Sequence, residues 1–394
     1  MKIAVIGVGT AGIMSLCHSL KWLCPDGSTI TSIYSPDIKI LSVGETMDPG
    51  FVTMLFDATG FTFLDDGHEL DAKIKLGVGW KNWRKKDFVV NMTAPQYTIN
   101  FNNGKLKGFC FKRFEERYPN KFVKLEGNVT NLTSDLGRAT VTVNGVDHDF
   151  DYVIDCRGYP DNYTDYNMVD VPVNHVLVHQ IPETCDSHTP LVQAHQNGWM
   201  FHIPLSTRQA WGYLYNDNIT SREDAVADIH KIFGRDDMKL NEFTFKSYYA
   251  KSFFNGRIIK NGNRAAFFEP IEGLAGYFYL LVMRCLVDYI QGESTVENIN
   301  KTLTEYARNN EMFINYAYHG GSNYDSEFWR ITKENTTKRL HEEFNWQETC
   351  EVIKQNIKHH GISNHHGVAG WTTYHWSEWD KHMEYNYFSE QEKL

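Results

Sequence analysis

The chain has 394 residues, of which 42% are hydrophobic and 22% charged, a composition typical of a folded globular protein rather than a disordered or fibrous one. Its 39 basic and 49 acidic residues give a net charge of −10, which argues against a basic face for nucleic acid. No apolar run reaches the ~18 residues that a membrane span needs, and the seven scattered cysteines form no CxxC pair. We therefore expect a cytoplasmic protein without a disulfide scaffold. Aromatic residues make up 14% of the chain, which indicates either a large core or a pocket for flat ligands.

The chain opens with a pattern typical of an α/β nucleotide-binding fold. A strand over 3–7, a helix over 12–22 and a second strand over 28–34 are predicted to form a βαβ unit. Later helices are predicted over 47–57, 221–233 and 295–312, the last with Thr295 as its N-cap. Later strands are predicted over 89–98, 122–125, 139–143, 152–155 and 211–215. Asn144 and Gly145 form a hairpin turn, so an antiparallel element is expected within the α/β frame.

A glycine-rich turn directly follows the first predicted strand. Gly7, Gly9 and Gly12 have the G-x-G-x-x-G spacing: the first permits a tight turn, the second lets the backbone approach a pyrophosphate, and the third lets helix and strand pack closely. This pattern predicts a dinucleotide site and fits NAD as well as FAD. The acidic residue expected at the end of the second strand is absent, because Tyr34 stands there.

Five further segments narrow the choice of cofactor. In chain order they read VGETMDP from Val43, KLGVGWKNW from Lys75, DCRG from Asp155, GWMFHIPL from Gly198 and FEPIEGLAG from Phe268. Together they resemble the flavin-dependent halogenases, the tryptophan halogenase family. That family has GEAT-x-P, a lysine shortly before an NW pair, DCSG, W-x-W-x-I-P and EPLESTG. The resemblance covers about residues 1–285.

The chain departs from the family pattern in the last two motifs. Phe201 replaces the second tryptophan of W-x-W-x-I-P, and EPIEGLAG has one additional small residue and neither Ser nor Thr after Glu272. Halide preference among chloride, bromide and iodide is therefore left open. The chain is also shorter than the tryptophan-specific members, which implies a reduced cover and an open site that could accept a broad range of rings.

The resemblance implies an α/β fold with a Rossmann-like FAD-binding module of the flavin monooxygenase type, an antiparallel-sheet substrate part and a helical C-terminal region. Residues 1–290 would form the FAD-binding module, with an inserted sheet at about 90–125 and 170–255, and residues 291–394 the helical substrate cover. The implied reaction uses FADH2, O2 and a halide to make hypohalous acid, which is delivered to an electron-rich aromatic small molecule. The implied partner is a separate NAD(P)H flavin reductase, and a homo-oligomer is left open.

Two catalytic residues are implied by alignment with the family motifs. Lys75 aligns with the active-site lysine, which would hydrogen-bond hypohalous acid or form a haloamine, and Lys73 is the alternative register. Glu272 aligns with the catalytic glutamate, which would stabilise positive charge on the ring or take its proton. Glu269 is the competing choice, since both glutamates flank Pro270.

The cofactor and halide sites are assigned by the same resemblance. The halide would be held by backbone N–H groups of the EPIEGLAG turn, supplied by Leu274, Ala275 or Gly276. The implied FAD-binding residues are Gly7, Gly9, Thr10, Ala11, Gly12, Gly44, Glu45, Thr46, Asp155 and Gly276.

Other interpretations of these residues stay open. A flavin monooxygenase that hydroxylates its substrate would have the same fold, and a non-catalytic flavin-binding module would keep the glycine motif. The alternating Trp199, Phe201 and Ile203 fit a strand beside the flavin or ordinary packing. The late aromatic residues Trp371, Trp376 and Trp379 favour core packing over a substrate platform.

No metal site is expected from the late histidines. The adjacent His-His pairs do not provide the i, i+4 spacing of a helical zinc site, so surface or core positions are favoured. These histidines are His359, His360, His365, His366, His375 and His382.

Overall fold

The computed structural model describes residues 1–25, 27–40, 43–92, 97–271, 273, 275–361 and 373–388, with residues 373 and 374 described by their backbone alone. Its α-helices are α1 (Thr10–Trp22), α2 (Pro49–Thr59), α3 (Phe63–Asp66), α4 (Asn103–Arg117), α5 (Arg222–Phe233), α6 (Ala275–Ile290), α7 (Val296–Tyr318), α8 (Glu327–Glu342), α9 (Trp346–His360) and α10 (Thr373–His382). Short 3₁₀ helices lie at Gly67–Leu70 and Gly262–Arg264.

The strands of the first half are β1 (Lys2–Ile6), β2 (Thr29–Tyr34), β3 (Glu45–Thr46), β4 (Lys73–Lys75), β5 (Gly77–Lys81), β6 (Phe88–Asn91), β7 (Thr98–Phe101), β8 (Phe122–Glu126), β9 (Val129–Ser134), β10 (Ala139–Val143), β11 (Val146–Phe150) and β12 (Tyr152–Asp155). Those that follow are β13 (Tyr166–Val169), β14 (His175–Ile181), β15 (Leu191–His195), β16 (Gly198–Pro204), β17 (Gln209–Tyr215), β18 (Asn241–Thr244), β19 (Ser247–Ala250), β20 (Ile258–Lys260) and β21 (Ala266–Phe267).

A parallel sheet carries the N-terminal glycine turn. Its strand order is β20-β12-β1-β2-β8, and every neighbouring pair is parallel. After Lys2, all residues of β1 are buried, as expected for a strand covered on both faces. Helix α1 packs against α2, α4 and α6 on one face of this sheet. The predicted α/β fold with a Rossmann-like start is therefore confirmed, and the predicted strand at 152–155 is β12, which pairs with β1 in this sheet.

A larger sheet forms the second part of the fold. Its order is β18-β14-β17-β16-β15-β5-β6, and all pairs are antiparallel except β15 with β5. Residues 122–126 are not part of it. They form β8 and pair with β2, so the end of the inserted segment predicted at about 90–125 belongs to the parallel sheet instead. The division of the chain at residue 290 stays a prediction.

The single strand predicted over 89–98 is wrong. Strand β6 ends at Asn91 in the large sheet, whereas β7 begins at Thr98 and pairs with β3 and β4 in a small separate sheet. The alternating pattern of the sequence indicates which face of a strand is apolar. It does not indicate which sheet the residues of β6 or those of β7 join. The sequence does contain one argument against a single strand over 89–98: Pro95 lacks the backbone N–H that an uninterrupted ladder of hydrogen bonds would need.

The two ends of α2 and the start of α7 have capping residues, of which the one on α7 was predicted. Thr295 caps α7 by accepting a hydrogen bond from the Asn298 backbone N–H at 3.2 Å, which confirms that prediction. The helix predicted over 47–57 is α2, which begins after the N-cap Asp48 and ends at Gly60, where φ is +76°. None of the described helices has the length and apolar character of a membrane span.

Seven of the ten tryptophans lie in a core between the large sheet and the C-terminal helices. Trp80 and Trp83 of the sheet region contact Trp379 and Trp329, respectively, with ring centroids 4.6 and 5.1 Å apart. Trp376 and Trp379 are fully buried, which confirms core packing for these two residues. Trp371 lies outside the described residues.

Candidate active site

The glycine turn has the geometry that a dinucleotide needs. Gly7 has φ of +99°, and a Cβ at Gly12 would lie 2.1 Å from the Gly7 carbonyl oxygen, so neither position accepts a side chain. A Cβ at Gly9 would meet no atom within 4 Å. The turn is therefore closed towards the protein and open at Gly9, where the backbone N–H groups of the α1 N-terminus can approach a pyrophosphate.

The open side of the turn gives a testable prediction. Gly9→Ala is expected to change the free energy of unfolding by less than about 1 kcal/mol but to weaken FAD binding at least about tenfold, because its methyl group occupies only the space that the pyrophosphate would take. Binding is measured by quenching of flavin fluorescence, and stability by thermal melting. Gly108→Ala is the matched control, since Gly108 on α4 also has no atom within 4 Å of a built Cβ. Unaltered FAD affinity in Gly9→Ala would contradict this site.

Glu45 of β3 connects the segment after β2 to the glycine turn through side-chain hydrogen bonds. Its Oε1 accepts hydrogen bonds from Thr10 Oγ1 and Asn103 Nδ2, both at 2.7 Å. Burial raises the pKa of the Glu45 carboxyl, and these two hydrogen bonds oppose the rise. The neighbouring Gly44 has φ of +119° and packs against Leu205. Within the described structure Glu45 thus holds α1, β3 and α4 together, and Asn103 is a partner that no sequence motif indicated.

Asp155 lies at the carboxyl end of β12, next to the glycine turn. Its carboxylate accepts hydrogen bonds from Arg157 Nε at 2.9 Å and Arg157 Nη2 at 2.8 Å, and Arg264 Nε lies 3.4 Å away. Arg157 stands where the family has serine. The charge of Asp155 is thus compensated by two guanidinium groups, and its place at the FAD site stays a prediction.

Asn261 and Gly262 form a second contact to the glycine turn that the sequence motifs did not reveal. Asn261 Nδ2 donates to Ser15 Oγ at 3.0 Å and to the Tyr279 carbonyl at 3.1 Å. A Cβ at Gly262 would lie 2.6 Å from Ala11 Cβ, so the chain after β20 touches the first turn of α1. An Asn-Gly pair predicts a turn from sequence, but not where that turn packs.

Lys75 is the last residue of β4 and is buried, with 5% of its surface exposed. Its Nζ donates to the Met47 carbonyl oxygen at 3.3 Å. The strand is held by pairing of Lys75 with Thr98, whose Oγ1 donates to the Asp48 carbonyl at 3.0 Å. Lys73 lies on the same strand, and its Nζ donates to the Cys185 carbonyl. The structure therefore places the ammonium group of Lys75, rather than that of Lys73, against the Met47–Asp48 segment.

The EPIEGLAG turn lies against the same segment. A Cβ at Gly273 would lie 3.6 Å from Thr46 Cγ2, and one at Gly276 would lie 2.7 Å from Met47 Sδ. Gly276 belongs to the first turn of α6, which begins at Ala275. Lys75 and the described part of the turn are thus brought together through residues 46–48. Glu272 and Leu274, the other predicted catalytic and halide residues, lie outside the described residues.

Asp48 adds a carboxyl group between the lysine and the turn. Its Oδ1 caps α2 by accepting from the Gly50 N–H at 2.7 Å, and its Oδ2 is buried with no hydrogen-bond partner among the described residues. Burial raises the pKa of Asp48, while its hydrogen bonds and the charge of Lys75 lower it. A Cβ at Gly276 would lie 3.1 Å from Asp48 Oδ2, so a side chain at this position would crowd the Asp48 carboxyl group.

Glu269, the alternative to Glu272, is 1% exposed. Tyr318 on α7 donates to its Oε2 at 2.8 Å, and Trp199 Nε1 donates to the Tyr318 oxygen at 2.5 Å. Oε1 of Glu269 has no partner in the described part of the chain. Burial raises the pKa of Glu269 to about 8, against the opposing hydrogen bond from Tyr318. This chain of three buried polar groups links the GWMFHIPL strand, the EPIEGLAG segment and the C-terminal helices.

The GWMFHIPL strand is β16. Trp199 is fully buried in the aromatic core, whereas Phe201 is half-buried and covers Gly212 of the neighbouring strand, where a Cβ would come within 2.2 Å of its ring. Both side chains therefore have packing roles in the described structure.

Metal ligation finds no support among the described residues, which contain no group of three or more potential ligands that could hold an ion. His359 and His360 are exposed at the end of α9, and His365 and His366 lie outside the described residues.

Comparison with known proteins identifies the family. A family model described as tryptophan halogenase matches residues 2–124 and 121–381, well beyond the segment covered by the motifs. Tryptophan 7-halogenase RebH of Lentzea aerocolonigenes is 23% identical over 421 residues, which cover 84% of this chain and 79% of that protein.

Two solved structures share the fold. Xcc4156, a flavin-dependent halogenase from Xanthomonas campestris, has a TM-score of 0.74 at 18% identity and covers 86% of this chain and 83% of its own. The apo structure of VirX1 has a TM-score of 0.76 at 16% identity and covers 98% and 93%. Since the family model matches most of the chain, the chain belongs to the tryptophan halogenase family, the flavin-dependent halogenases, which use FADH2, O2 and a halide and generally need a separate flavin reductase.

Proposed function

We propose that this chain halogenates an electron-rich aromatic small molecule and that Lys75 presents the electrophile to the ring. Reduced FAD, when bound, supplies with O2 the oxidising power that converts chloride, bromide or iodide into hypohalous acid. The observation that carries the proposal is the burial of the Lys75 ammonium group against the Met47 carbonyl, beside Gly273 and Gly276 of the EPIEGLAG turn.

Lys75 would act by holding hypohalous acid in place. An N–H of the side chain can donate to the oxygen of the acid. Alternatively, the neutral amine can form an N–halogen bond with release of water, which keeps atoms and charge balanced. Burial supports either role, because a water-excluded site slows loss of the electrophile to solvent and strengthens each hydrogen bond to it.

The halide would be held by backbone N–H groups of Leu274 and Ala275. Support comes from Ala275, the first residue of α6, and from the length of that helix, 16 residues. The first N–H groups of a helix have no intrahelical partner, and the helix dipole favours an anion there. This role does not require the Ser and Thr side chains that the family motif has and this chain lacks.

The group that stabilises the ring or takes its proton is proposed to be Glu272. The environment of Glu269 supports this choice indirectly. Since the pKa of Glu269 is raised to about 8, this carboxyl is mostly protonated at neutral pH and is poorly suited to accept a proton. Glu269 would instead hold Tyr318 and Trp199 in place next to the site.

The remaining assignments concern the surroundings of the site. We propose that residues 1–290 bind FAD, that residues 291–394 cover the substrate, and that the reduced cover leaves the site open to rings of different size. The Tyr318 contact to Glu269 supports an arrangement in which the C-terminal helices reach the site. The reductase is proposed to be NAD(P)H-dependent, and the cytoplasmic location and a homo-oligomer stay predictions.

The test is an incubation of the protein with an aromatic library, a generic flavin reductase, NADH and each halide in turn. Mass spectrometry is expected to show the mass shift of the added halogen, and only when the halide is present. Equal product without halide would favour the hydroxylase instead. Reduced flavin consumed no faster with substrate, halide and O2 than without them would favour a non-catalytic module.

A further inference from the structure

The ribose-binding acid of a Rossmann-like site is missing from its usual position in this chain. That acid stands at the end of the second strand and accepts hydrogen bonds from ribose hydroxyl groups. Here β2 ends at Tyr34, a residue that can donate to an anion but carries no charge of its own at neutral pH. A compensating acceptor would have to come from another strand at the carboxyl edge of the parallel sheet.

Glu126, the last residue of β8, stands beside Tyr34. The two residues are register partners in the parallel pair β2–β8, and Tyr34 Oη donates to Glu126 Oε1 at 2.6 Å. The Glu126 side chain is exposed at the same edge of the sheet as the glycine turn, and its Oε2 makes no hydrogen bond within the described structure. An oriented carboxylate with free lone pairs therefore lies at the edge where ligands of α/β sheets bind.

Tyr34 is held firmly enough to orient that carboxylate. Its ring is 6% exposed, packs edge-on against Phe111 with centroids 5.5 Å apart, and has Lys107 Nζ 3.9 Å from its centroid. Burial and the hydrogen bond to Glu126 raise the pKa of Tyr34 to about 12. The phenol therefore stays a hydrogen-bond donor over the whole range in which the enzyme would operate.

We propose that Glu126, oriented by Tyr34, replaces the missing acid and accepts hydrogen bonds from the hydroxyl groups of the adenosine ribose of FAD. Glu126 is the binding residue and Tyr34 the positioning residue. The proposal concerns the adenosine end of the cofactor and is independent of the role of Lys75, so either can fail without the other.

The first experiment measures FAD affinity by fluorescence quenching in Glu126→Gln and Tyr34→Phe. A hydrogen bond to a charged group contributes enough that its loss weakens binding about tenfold to 100-fold. Glu126→Gln is expected to weaken FAD binding about tenfold or more, and Tyr34→Phe severalfold. Affinity within twofold of the parent in both variants would overturn the proposal. Tighter binding in Glu126→Gln would overturn it as well, because it would show repulsion of the pyrophosphate.

The second experiment separates ribose recognition from a merely structural effect. ADP, 2′-deoxy-ADP and 3′-deoxy-ADP are competed against FAD in parent and variants. The parent is expected to prefer ADP about tenfold or more over at least one deoxy analogue, and Glu126→Gln to lose that preference. A preference that survives unchanged in Glu126→Gln would contradict the assignment even if FAD binding were weaker.

The chain contains a matched control pair. Tyr215 Oη donates to Oε1 of the exposed Glu242 at 3.3 Å, and burial with its contact to Glu242 raises the pKa of Tyr215 to about 12. This pair joins β17 to β18 in the large sheet and not in the parallel one. Glu242→Gln removes the same carboxylate charge beside a tyrosine hydroxyl, here a carboxylate that also accepts from Arg222 Nε at 2.7 Å. It is expected to leave FAD affinity and the ADP preference unchanged.

Discussion

Replacing Lys75 with alanine is expected to lower halogenated product at least about 100-fold while oxidation of reduced FAD continues. The physical reason is that removal of one well-placed donor from a water-excluded site costs this much in rate, whereas the glycine turn at Gly7 to Gly12, the proposed FAD site, is unchanged. Product is measured by mass spectrometry and flavin oxidation by absorbance. Lys75→Met retains the apolar stem of the buried side chain and is expected to show the same loss in a protein of near-parental stability.

Lys73→Ala is the matched control for this prediction. Lys73 lies two residues away on the same strand, and its Nζ reaches the Cys185 carbonyl instead of Met47. We expect Lys73→Ala to retain most product formation. Full activity in Lys75→Ala, or equal losses in both variants, would contradict the role given to Lys75.

Glu269→Gln is expected to flatten the pH dependence of stability. Burial raises the folded-state pKa of Glu269 from an ordinary value of 4.5 to about 8, so between these pH values the native state holds a proton that the unfolded chain has released. The unfolded state then binds fewer protons, and the free energy of unfolding falls as pH rises through this window. At 1.36 kcal/mol per pH unit, the loss amounts to at most about 5 kcal/mol.

The measurement is urea unfolding of parent and variant at about pH 5 and about pH 8. Glutamine keeps an acceptor for Tyr318 but cannot ionise, so the parent is expected to lose several kcal/mol more than the variant across this range. Glu272→Gln is the companion variant: it is expected to lower product strongly. An identical pH dependence in parent and Glu269→Gln would show that Glu269 is not held protonated.

Local sequence patterns were sufficient to predict features that depend on a single contiguous segment of the chain. The buried run of β1, the glycine spacing and the cap at Thr295 each combine short-range chemistry with a required backbone shape, and all appear in the structure. Lys75 could be singled out because its flanking motif is contiguous. The antiparallel hairpin at Asn144 and Gly145 was predicted for the same reason.

Features that depend on distant segments could not be predicted in this way. Asn103 reaches Glu45 across 58 residues, Tyr318 reaches Glu269 across 49, and Tyr34 meets Glu126 only because β8 joins β2. No local periodicity reports such pairings. The prediction of a single strand over 89–98 was wrong for this reason, since β6 and β7 belong to different sheets.

The most direct test of the central claim asks whether the electrophile reaches the ring inside the protein. A good substrate is halogenated in the presence of an excess of a soluble scavenger of hypohalous acid, and the ratio of product isomers is compared with that given by free hypohalous acid. If Lys75 presents the electrophile within the site, product is expected to persist with scavenger and its isomer ratio to differ from that of the free reagent. Complete loss of product with scavenger, together with the isomer ratio of the free reagent, would contradict the account.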